Sequence, residues 1–523
     1  MLTLHACFDD SGDFVTEQKV SANEVSVHFL LQIGENSSLR SGGDELEGTS
    51  DENKIKTLTF FVIDIKSNND LDWSRVKYVP MLAPSSPTTT PIEVSVRTNP
   101  GKKCVYVGAN MSVAQITSFC ANKGRYTVEG NTYKDVINDF TNSSRGFVMF
   151  GQMKSKSSSS FVIEVTEGDE LIETKVDLSR VVSKVALTYT PDTKEGYATI
   201  ANGIGGFIDA DSIYFMLNAT SKSIDFIPGT TPRYVMSEYI AESADPAYET
   251  LYHYITDPTK DFMFYTPQGE VLGITGGSNF FTATSQLPIE IPLGGDNPYH
   301  QGLEKYIAPS ENSVELGKHT HYSSSWYCLE NTVSSAGFEP PSDIKELRKG
   351  INTQVIVVAK YIPEIIHHYD SDIDADNLVS CYPSSGATNR EDIHDAMEAI
   401  TNNDADPNGP YTFYAVQIPP FDPLNPRYEY YTYDAKKYME DVLHDPQNFI
   451  TYKGGYGYYF TFVSQNKPIA EDKYYNLKRN NYYILNVEKF IPPGAVYPQQ
   501  LYMLINSETV EWSFQKTIDV SLD

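Results

Sequence analysis

Carboxylates alternate along residues 370–377 in a spacing that could bind a divalent cation. Asp370, Asp372, Asp374 and Asp376 are placed like the first ligands of a Ca²⁺-binding loop. A complete EF-hand loop also needs Gly at its sixth position and Glu at its twelfth, and neither is present. An acidic loop in contact with solvent is therefore the preferred interpretation, with a Ca²⁺ site as the alternative.

Two pairs of histidines are the other candidate metal ligands. His319 and His321 would lie on one face of a strand, because side chains alternate with a period of two. His367 and His368 follow elsewhere, but no HExxH spacing or neighbouring Cys accompanies either pair. We interpret these residues as surface histidines and expect no metal.

No constellation in the sequence supports covalent or acid–base catalysis. The Ser-rich segments 155–160 and 323–325 lack the GxSxG pattern, and 203–206 is too short for a phosphate-binding GxGxxG. Carboxylates are too abundant to single out a glycosidase pair. We expect no enzyme and no cofactor. The tyrosines of 428–433 and 456–459 could stack on sugars, although packing is the more common role.

Composition narrows the class of protein further. The chain has 523 residues, 40% of them hydrophobic, which allows two to four domains with sizeable cores. The 37 Tyr against 3 Trp favour half-buried β structure. A net charge of −29 would repel nucleic acids and anionic membranes, so neither is expected as a partner through charge. The sequence contains no stretch of 18 apolar residues, which a membrane-spanning helix would need.

Cys7 differs from the other four cysteines. It ends Leu4-His5-Ala6-Cys7, which looks like a bacterial lipobox, and an acidic, Gly-containing segment follows like a flexible tether. We therefore predict lipidation of Cys7. The usual basic and apolar regions of a signal peptide are missing, so either the true start lies upstream or the match is a coincidence. The remaining cysteines form no CxxC pair and are interpreted as isolated buried thiols: Cys104, Cys120, Cys328 and Cys381.

Many short strands and few helices are predicted between turn-rich connections, which is typical of β-sandwiches. The first strand is the clearest, because its apolar residues alternate strictly: Val25, Val27, Phe29, Leu31 and Ile33. Further strands are predicted at 58–65, 92–96, 104–107, 161–165, 181–187, 355–359, 412–418, 458–462 and 482–487. Helices are predicted at 113–120, 133–140, 391–400 and 435–443. A domain boundary is placed near 187–194.

The last segment has the longest alternating row. Apolar residues fall at Val510, Trp512, Phe514, Ile518, Val520 and Leu522, and only Lys516 interrupts them. A row this regular needs an apolar surface to cover. The alternative is an ordinary final strand of the domain's own sheet.

Several segments resemble the Bacteroidales fimbrillin family, the subunits of type V pili, and most closely its short-fimbria major subunits. The resemblance follows one order along the chain. Its segments are the strand 25–33 with its Gly/Asp-rich loop and Arg40, then Lys103–Asn110, Val176–Val185, Trp326–Asn331, Val355–Pro363, Tyr452–Tyr459 and Lys478–Val487.

The resemblance implies a mostly β fold with two transthyretin-like β-sandwich domains and a few short helices. On that pattern, residues 1–20 are a lipoprotein signal remnant and tether, 21–188 the N-terminal domain, 189–507 the C-terminal domain and 508–523 a donor strand. It also implies export as an outer-membrane lipoprotein precursor. An Arg-specific, gingipain-type protease then cleaves after an Arg behind the first strand, and Arg40 is the only Arg before Arg75.

The residues themselves suggest how such a subunit would polymerise. While strand 25–33 is in place, the groove it occupies is filled. Cleavage after Arg40 would let it leave, exposing an apolar groove flanked by unpaired backbone groups. The segment from Val510 could fill that groove in a neighbouring copy, which gives an open filament. The expected partners are further copies, accessory fimbrial subunits, the maturation protease and an unidentified host or bacterial receptor that supports adhesion.

Two other hypotheses about the function remain open. Within the family, an anchor subunit would retain its lipid without cleavage, and a tip subunit would need no free donor segment. Outside it, a glycan-binding surface lipoprotein or a hydrolase would be a monomer with an aromatic platform or a carboxylate pair in a cleft.

Overall fold

The computed structural model describes most of the chain with gaps. The described residues are 24–34, 45–47, 51–83, 91–129, 133–142, 144–167, 170–201, 204–229, 233–235, 238–242, 252–254, 261–263, 304–305, 313–316, 319–322, 325–334, 351–370, 378–381, 389–403, 405–419, 427–445, 447–463, 476–494 and 503–513.

These residues form a mostly β protein, as expected. The strands of the first part are β1 (Val25–Gly34), β2 (Glu45–Glu47), β3 (Thr57–Ile65), β4 (Leu71–Leu82), β5 (Ile92–Thr98), β6 (Gly101–Ala109), β7 (Arg125–Thr127), β8 (Met149–Ser155), β9 (Val162–Val165), β10 (Glu170–Asp177), β11 (Ser179–Arg180) and β12 (Val182–Tyr189).

The strands of the second part follow in chain order. They are β13 (Tyr197–Ala198), β14 (Gly206–Asp209), β15 (Tyr214–Asn218), β16 (Thr220–Ser221), β17 (Ser223–Asp225), β18 (Tyr234–Val235), β19 (Ile240–Glu242), β20 (Tyr252–Tyr254), β21 (Phe262–Met263), β22 (Glu304–Lys305), β23 (Ser313–Leu316), β24 (His319–Tyr322), β25 (Ser325–Leu329), β26 (Val333–Ser334), β27 (Gln354–Pro363), β28 (Ile366–Tyr369), β29 (Leu378–Cys381), β30 (Phe413–Ile418), β31 (Arg427–Tyr431), β32 (Ile450–Tyr452), β33 (Tyr456–Phe462), β34 (Asn481–Phe490) and β35 (Met503–Ser513).

In the described ranges there are four α-helices, and three of them start at a residue whose side chain caps the helix. The four are α1 (Val113–Ala121), α2 (Tyr133–Phe140), α3 (Arg390–Thr401) and α4 (Tyr433–Asp441). Ser112 and Gln115 form a capping box at α1, and the side chains of Asn389 and Thr432 accept backbone hydrogen bonds at α3 and α4. Among the described residues, no helix has the length and apolar character needed to cross a membrane.

The N-terminal domain is built from two sheets that share the strand β8. Strand order along the path is β4-β3-β6-β8-β10-β1-β5, with β9 beside β6 and β11 beside β8. Residues 149–152 of β8 pair with β6, and residues 153–155 pair with β10. Gly151 lies at this crossing, where a Cβ would collide with the carbonyl oxygen of Asp177, so no other residue fits without movement. The apolar faces of both sheets meet in one core.

Asn110 fixes the start of β3 against the end of β6. Its backbone is in the left-handed region with φ 56°, which Asn tolerates better than most residues. The buried side chain donates to the carbonyl oxygens of Lys54 and Phe147 and accepts from the backbone N–H of Lys56 at 2.8 Å. Asn110, the last residue of the segment 103–110 that resembles fimbrillins, thus has a structural role.

The described part of the C-terminal domain contains three larger sheets. Their strand orders are β2-β35-β34-β12-β25, then β13-β14-β27-β15-β22 with β33 beside β27, and β29-β28-β31-β30-β32. Strand β27 is buried along its whole length, and its sequence is apolar except for Gln354 and Lys360.

The expected domain boundary at residue 188 is wrong by one strand. Strand β11 pairs with β8 of the N-terminal domain, but β12 pairs with β25 and β34 of the C-terminal domain. The chain therefore changes domain at Val181, between Arg180 and Val182. Short apolar strands look alike in sequence whichever sheet they join.

Candidate functional site

Strand β1 is an interior strand of the N-terminal domain, inserted between two others. Residues 27–34 pair in parallel with 170–177 of β10, and residues 25–31 pair antiparallel with 92–98 of β5. In the described part of the chain β5 pairs with β1 alone. Removing β1 would therefore leave β5 without a strand partner and expose one edge of β10.

The inner face of β1 is part of the core. Val27, Phe29, Leu31 and Ile33 are at most 2% exposed. Burying four such side chains contributes roughly 6–12 kcal/mol at most, at about 1.5–3 kcal/mol each. Val25, the fifth residue of the predicted row, is only partly buried against the core. Four buried side chains, and not the five predicted, would thus be withdrawn from the groove if β1 left.

The walls of the position occupied by β1 come from its two neighbours. Ile92, Val94 and Val96 of β5 are buried, and Thr174 and Val176 of β10 are fully buried. The Thr174 hydroxyl donates to the carbonyl oxygen of Leu30 at 3.3 Å. A strand that replaced β1 would have to offer this hydroxyl another acceptor.

The outer face and the start of β1 carry polar contacts. His28 Nδ1 is hydrogen-bonded to Ser95 Oγ at 2.8 Å and lies 3.3 Å from Glu93 Oε1, both on β5. Glu24, just before β1, is ion-paired with Lys77 of β4. The His28–Glu93 contact is largely exposed and therefore weak compared with the buried row, whereas the Glu24 carboxylate is buried.

The C-terminal strand is already paired within its own domain. Residues 503–511 of β35 run antiparallel to β34, with Val510 opposite Tyr482 and Glu511 opposite Asn481. Trp512 and Ser513 lie opposite Leu46 and Glu47 of β2. The interpretation of the whole segment from Val510 as a free donor therefore needs correction, since its first four residues belong to this sheet.

The remaining predicted residues of the mechanism lie outside the described part of the chain. They are Cys7, Arg40, Phe514, Ile518, Val520 and Leu522. Lipidation, cleavage and donation by these residues stay predictions.

A buried ionic cluster at the domain junction was not predicted. Lys184 Nζ lies 2.8 Å from Glu52 Oε1, and the Tyr327 hydroxyl donates to the same oxygen at 2.7 Å. Arg180 Nε donates to the Glu52 carbonyl oxygen at 3.1 Å, and the Arg180 backbone N–H donates to Asn480 Oδ1 at 3.1 Å. The cluster fixes the chain that follows the loop containing Arg40 to both domains.

Burial shifts the pKa values of three members of this cluster, Arg180, Lys184 and Tyr327. Desolvation lowers the pKa of Lys184, and the attraction of Glu52 opposes that shift. Desolvation lowers the pKa of Arg180 to about 10, and it raises that of the Tyr327 hydroxyl. The sequence could have indicated this cluster, because Arg180 and Lys184 lie within an apolar strand segment. Buried cations require a buried acid as a partner.

As far as the structure describes them, the other candidate sites bring together no set of ligands. The acidic loop 371–377 lies outside the described residues. The described residues contain no group of three His, Cys, Asp or Glu side chains that could hold a metal ion. Tyr430, Tyr431, Tyr458 and Tyr459 are buried, so packing explains them better than an exposed sugar platform. Cys104 and Cys328 are buried free thiols, and Cys120 is a half-buried one.

The geometry defines a class of protein before any comparison: a two-domain β protein whose first strand fills an interior position of a sandwich. Residues 24–180 match the family described as Major fimbrial subunit protein (FimA). This match covers the N-terminal domain up to the observed change of domain. Residues 24–180 are therefore similar to a major fimbrial subunit.

Solved structures are similar over most of the chain at low sequence identity. A fimbrilin from Porphyromonas gingivalis W83 is 13% identical with a TM-score of 0.38, covering 94% of this chain and 98% of that one. A candidate cell adhesion protein from Parabacteroides distasonis ATCC 8503 is 12% identical with a TM-score of 0.40, covering 94% and 100%. The truncated tip fimbrial protein Mfa3 from Porphyromonas gingivalis is 10% identical with a TM-score of 0.35, covering 93% and 100%. No curated protein matches the chain. Because the scores are low, the family assignment rests on residues 24–180.

The family consists of structural fimbrial subunits and not of enzymes. The part of this chain that matches, residues 24–180, is thus similar to a structural subunit of a fimbria. Fimbrial subunits polymerise with copies of themselves and with accessory subunits.

Proposed function

We propose that this subunit polymerises by donor-strand exchange. Cleavage after Arg40 by an Arg-specific protease frees β1, and β1 leaves its position between β5 and β10. Residues 514–523 of a neighbouring copy then fill that position. The resulting fimbria supports adhesion to a host or bacterial surface. Before cleavage the subunit is exported as an outer-membrane precursor lipidated at Cys7.

The observation that carries this proposal is the position of β1. A ten-residue strand with four buried apolar side chains is joined to the rest of the subunit through residues 35–44, which contain Arg40. An interior strand next to a protease site is a costly arrangement for a permanent monomer. The same arrangement is expected of a strand that is replaced during assembly.

The energetics of exchange are close to balanced. The row Phe514, Ile518, Val520 and Leu522 offers four apolar side chains in place of Val27, Phe29, Leu31 and Ile33. In the uncut subunit the covalent link gives β1 a high effective concentration, in the millimolar range for short flexible links. Cutting removes that advantage, so β1 dissociates and a second copy competes for the groove. Lys516 within the donor row sets a constraint, because it fits only near an open end of the groove.

Size-exclusion chromatography before and after Arg-specific proteolysis tests the proposal. Wild-type subunit should change from monomer to polymer on cleavage, and Arg40→Ala should stay monomeric. Arg75→Ala is the matched control, since Arg75 is exposed on β4 and its loss should change neither cleavage nor assembly. A peptide of residues 24–34 added after cleavage should slow assembly by refilling the groove.

The outcomes separate the alternatives. Polymers of Arg40→Ala, or wild-type fibres that still contain β1, would contradict exchange at this position. A subunit that is cut and still binds the donor of another copy, but donates to none, would be a tip subunit. Incorporation of labelled lipid in wild type and in Cys7→Ser tests the precursor form.

A further inference from the structure

The start of β1 is held by an ion pair that reaches the opposite end of the strand path. Glu24, just before β1, is ion-paired with Lys77 of β4. Strand β1 pairs with β5 and β10, whereas β4 pairs with β3, so the two side chains connect strands that share no backbone ladder. Departure of β1 would therefore separate this pair and leave Lys77 behind on β4.

This ion pair is more deeply buried than the contacts on the outer face of β1. The Glu24 side chain is 3% exposed and that of Lys77 is 20% exposed, whereas His28 and Glu93 are 34% and 63% exposed. Among the described residues, no acid other than Glu24 lies within ion-pairing distance of Lys77. A partly buried ammonium without a counter-charge is unfavourable, because it has lost part of its hydration. The vacated position would thus contain an unpaired cation at one end.

Glu24 does not satisfy its surroundings completely. Its Oε1 accepts a hydrogen bond from Lys77 Nζ, whereas its Oε2 is buried and has no hydrogen-bond partner in the described part of the chain. A buried oxygen without a partner is costly, because it has given up its hydrogen bonds to water. A strand whose carboxylate meets Lys77 and keeps its second oxygen hydrated would therefore be held more firmly than β1.

The apolar row of β1 does not define its register by alternation alone. The row has five apolar residues from Val25 to Ile33, but only four of them are buried. A slip by two residues would place Val25 in the position of Val27 and keep the row on the same face. It would also move Glu24 away from Lys77 by two residues, roughly 6–7 Å along the strand. The ion pair thus distinguishes registers that alternation does not.

We propose that Lys77 selects the strand that replaces β1 and sets its register. The incoming strand belongs to another fimbrial subunit and carries a carboxylate three residues before the first of its buried apolar residues, as Glu24 precedes Val27 in β1. This inference rests on the proposed donor-strand exchange and adds the chemistry by which the vacated position recognises its partner. Lys77 and its immediate surroundings are called the Lys77 site below.

Peptide binding to the cleaved subunit tests the Lys77 site. The probe is a fluorescent peptide of residues 24–34, acetylated and amidated at its ends so that Glu24 is its only carboxylate. Binding is measured by fluorescence anisotropy at nanomolar subunit concentration, at which subunits assemble slowly. We expect Glu24→Gln in the peptide to weaken binding about tenfold, because Lys77 then stays unpaired. Equal affinity of the two peptides would overturn the proposal.

A relocated carboxylate separates the Lys77 site from an effect of net charge. The Glu24→Gln peptide with a free C-terminal carboxylate has the same net charge as the probe, but its acid lies at the opposite end of the strand. We expect this peptide to bind as weakly as the amidated Glu24→Gln peptide. An affinity equal to that of the probe would mean that only total charge matters, and the proposal would be wrong.

Subunit variants locate the effect at Lys77. On Lys77→Met the probe and the Glu24→Gln peptide should bind equally, whereas on Lys77→Arg the difference should persist. Arg75→Met is the matched control, because Arg75 lies on the same strand but faces Asp64 and Asp72, so the difference should remain there too. A difference that persists on Lys77→Met would contradict the proposal. The peptide comparison on the wild-type subunit is decisive even if Lys77→Met folds poorly.

Disulfide trapping tests the register. The probe for this test has valine at all five alternating apolar positions, so side-chain shape no longer distinguishes one register from the next. With Ser95→Cys in the subunit, His28→Cys in the peptide should be trapped, because the two positions lie opposite one another. Without the carboxylate, in Glu24→Gln, Ser26→Cys should be trapped as readily as His28→Cys. Trapping at position 28 alone without the carboxylate would contradict control of the register by the Lys77 site.

Failure of the two proposals is distinguishable. If no peptide of this row binds the cleaved subunit, the position of β1 does not accept a strand, and donor-strand exchange there is wrong. If the peptides bind and Glu24→Gln makes no difference, exchange stands and selection by the Lys77 site is wrong.

Discussion

Replacing Phe29 by Ala should weaken the uncut subunit without weakening the assembled fimbria. Phe29 is fully buried on β1, among the apolar side chains of β5 and the core. A buried Phe→Ala change costs about 3–5 kcal/mol, from lost transfer free energy and from the cavity. If β1 leaves on assembly, the side chain leaves with it. The penalty should then apply only before cleavage.

Urea unfolding of the uncut subunit and urea dissociation of the polymer measure the two halves of this expectation. Two matched variants bracket the result. Gln32→Ala changes an exposed residue of β1 and should alter neither measurement. Phe60→Ala removes an equally buried ring from β3, which stays in the subunit, and should lower both. A Phe29→Ala polymer that dissociates at a correspondingly lower urea concentration would refute departure of β1.

The remaining predictions concern the donor segment and buried charges. Deleting residues 514–523 should leave folded monomers that never polymerise by size-exclusion chromatography; polymers of normal length would count against their role as donor. Glu52→Gln should reduce the free energy of unfolding by about 3–5 kcal/mol in urea titrations, because Lys184 keeps its charge without a carboxylate partner. Lys184→Met in the same background should recover part of that loss, and no recovery would contradict the uncompensated charge. Burial lowers the pKa of Lys360 from 10.5 to about 8, so the unfolded chain binds the extra proton between these values and stability from this group rises across that window. Lys360→Met should therefore be more stable at pH 7 by up to about 3 kcal/mol, with an advantage that shrinks toward pH 10.5; an advantage independent of pH would contradict it.

Strands with strict alternation could be predicted closely. Strand β1 was expected at 25–33 and spans Val25–Gly34, and β5 was expected at 92–96 and spans Ile92–Thr98. The helices were placed to within two residues at each end, because their apolar spacing and caps are local signals.

Strand β4 was missed for an identifiable reason. It spans Leu71–Leu82, is half-exposed along most of its length and, among the described strands, pairs only with β3. An edge strand of this kind need not alternate, and an edge is where a strand tolerates a proline such as Pro80. Strand β8 was also missed. It contains Gly151, which is required where the strand crosses from one sheet to the other and is not a typical strand residue.

The sequence alone determined which segments could be strands and which faces they would bury. It determined the alternating row of β1, the position of Arg40 behind it and the apolar row from Val510. Period-two alternation is a local property, and it states that a face must be covered without stating by what. Only the tertiary structure decided that β1 lies between β5 and β10, that β12 joins the second domain and that Trp512 pairs with β2. Those choices come from contacts between residues far apart in the chain, summed over whole sheets, which no local pattern encodes.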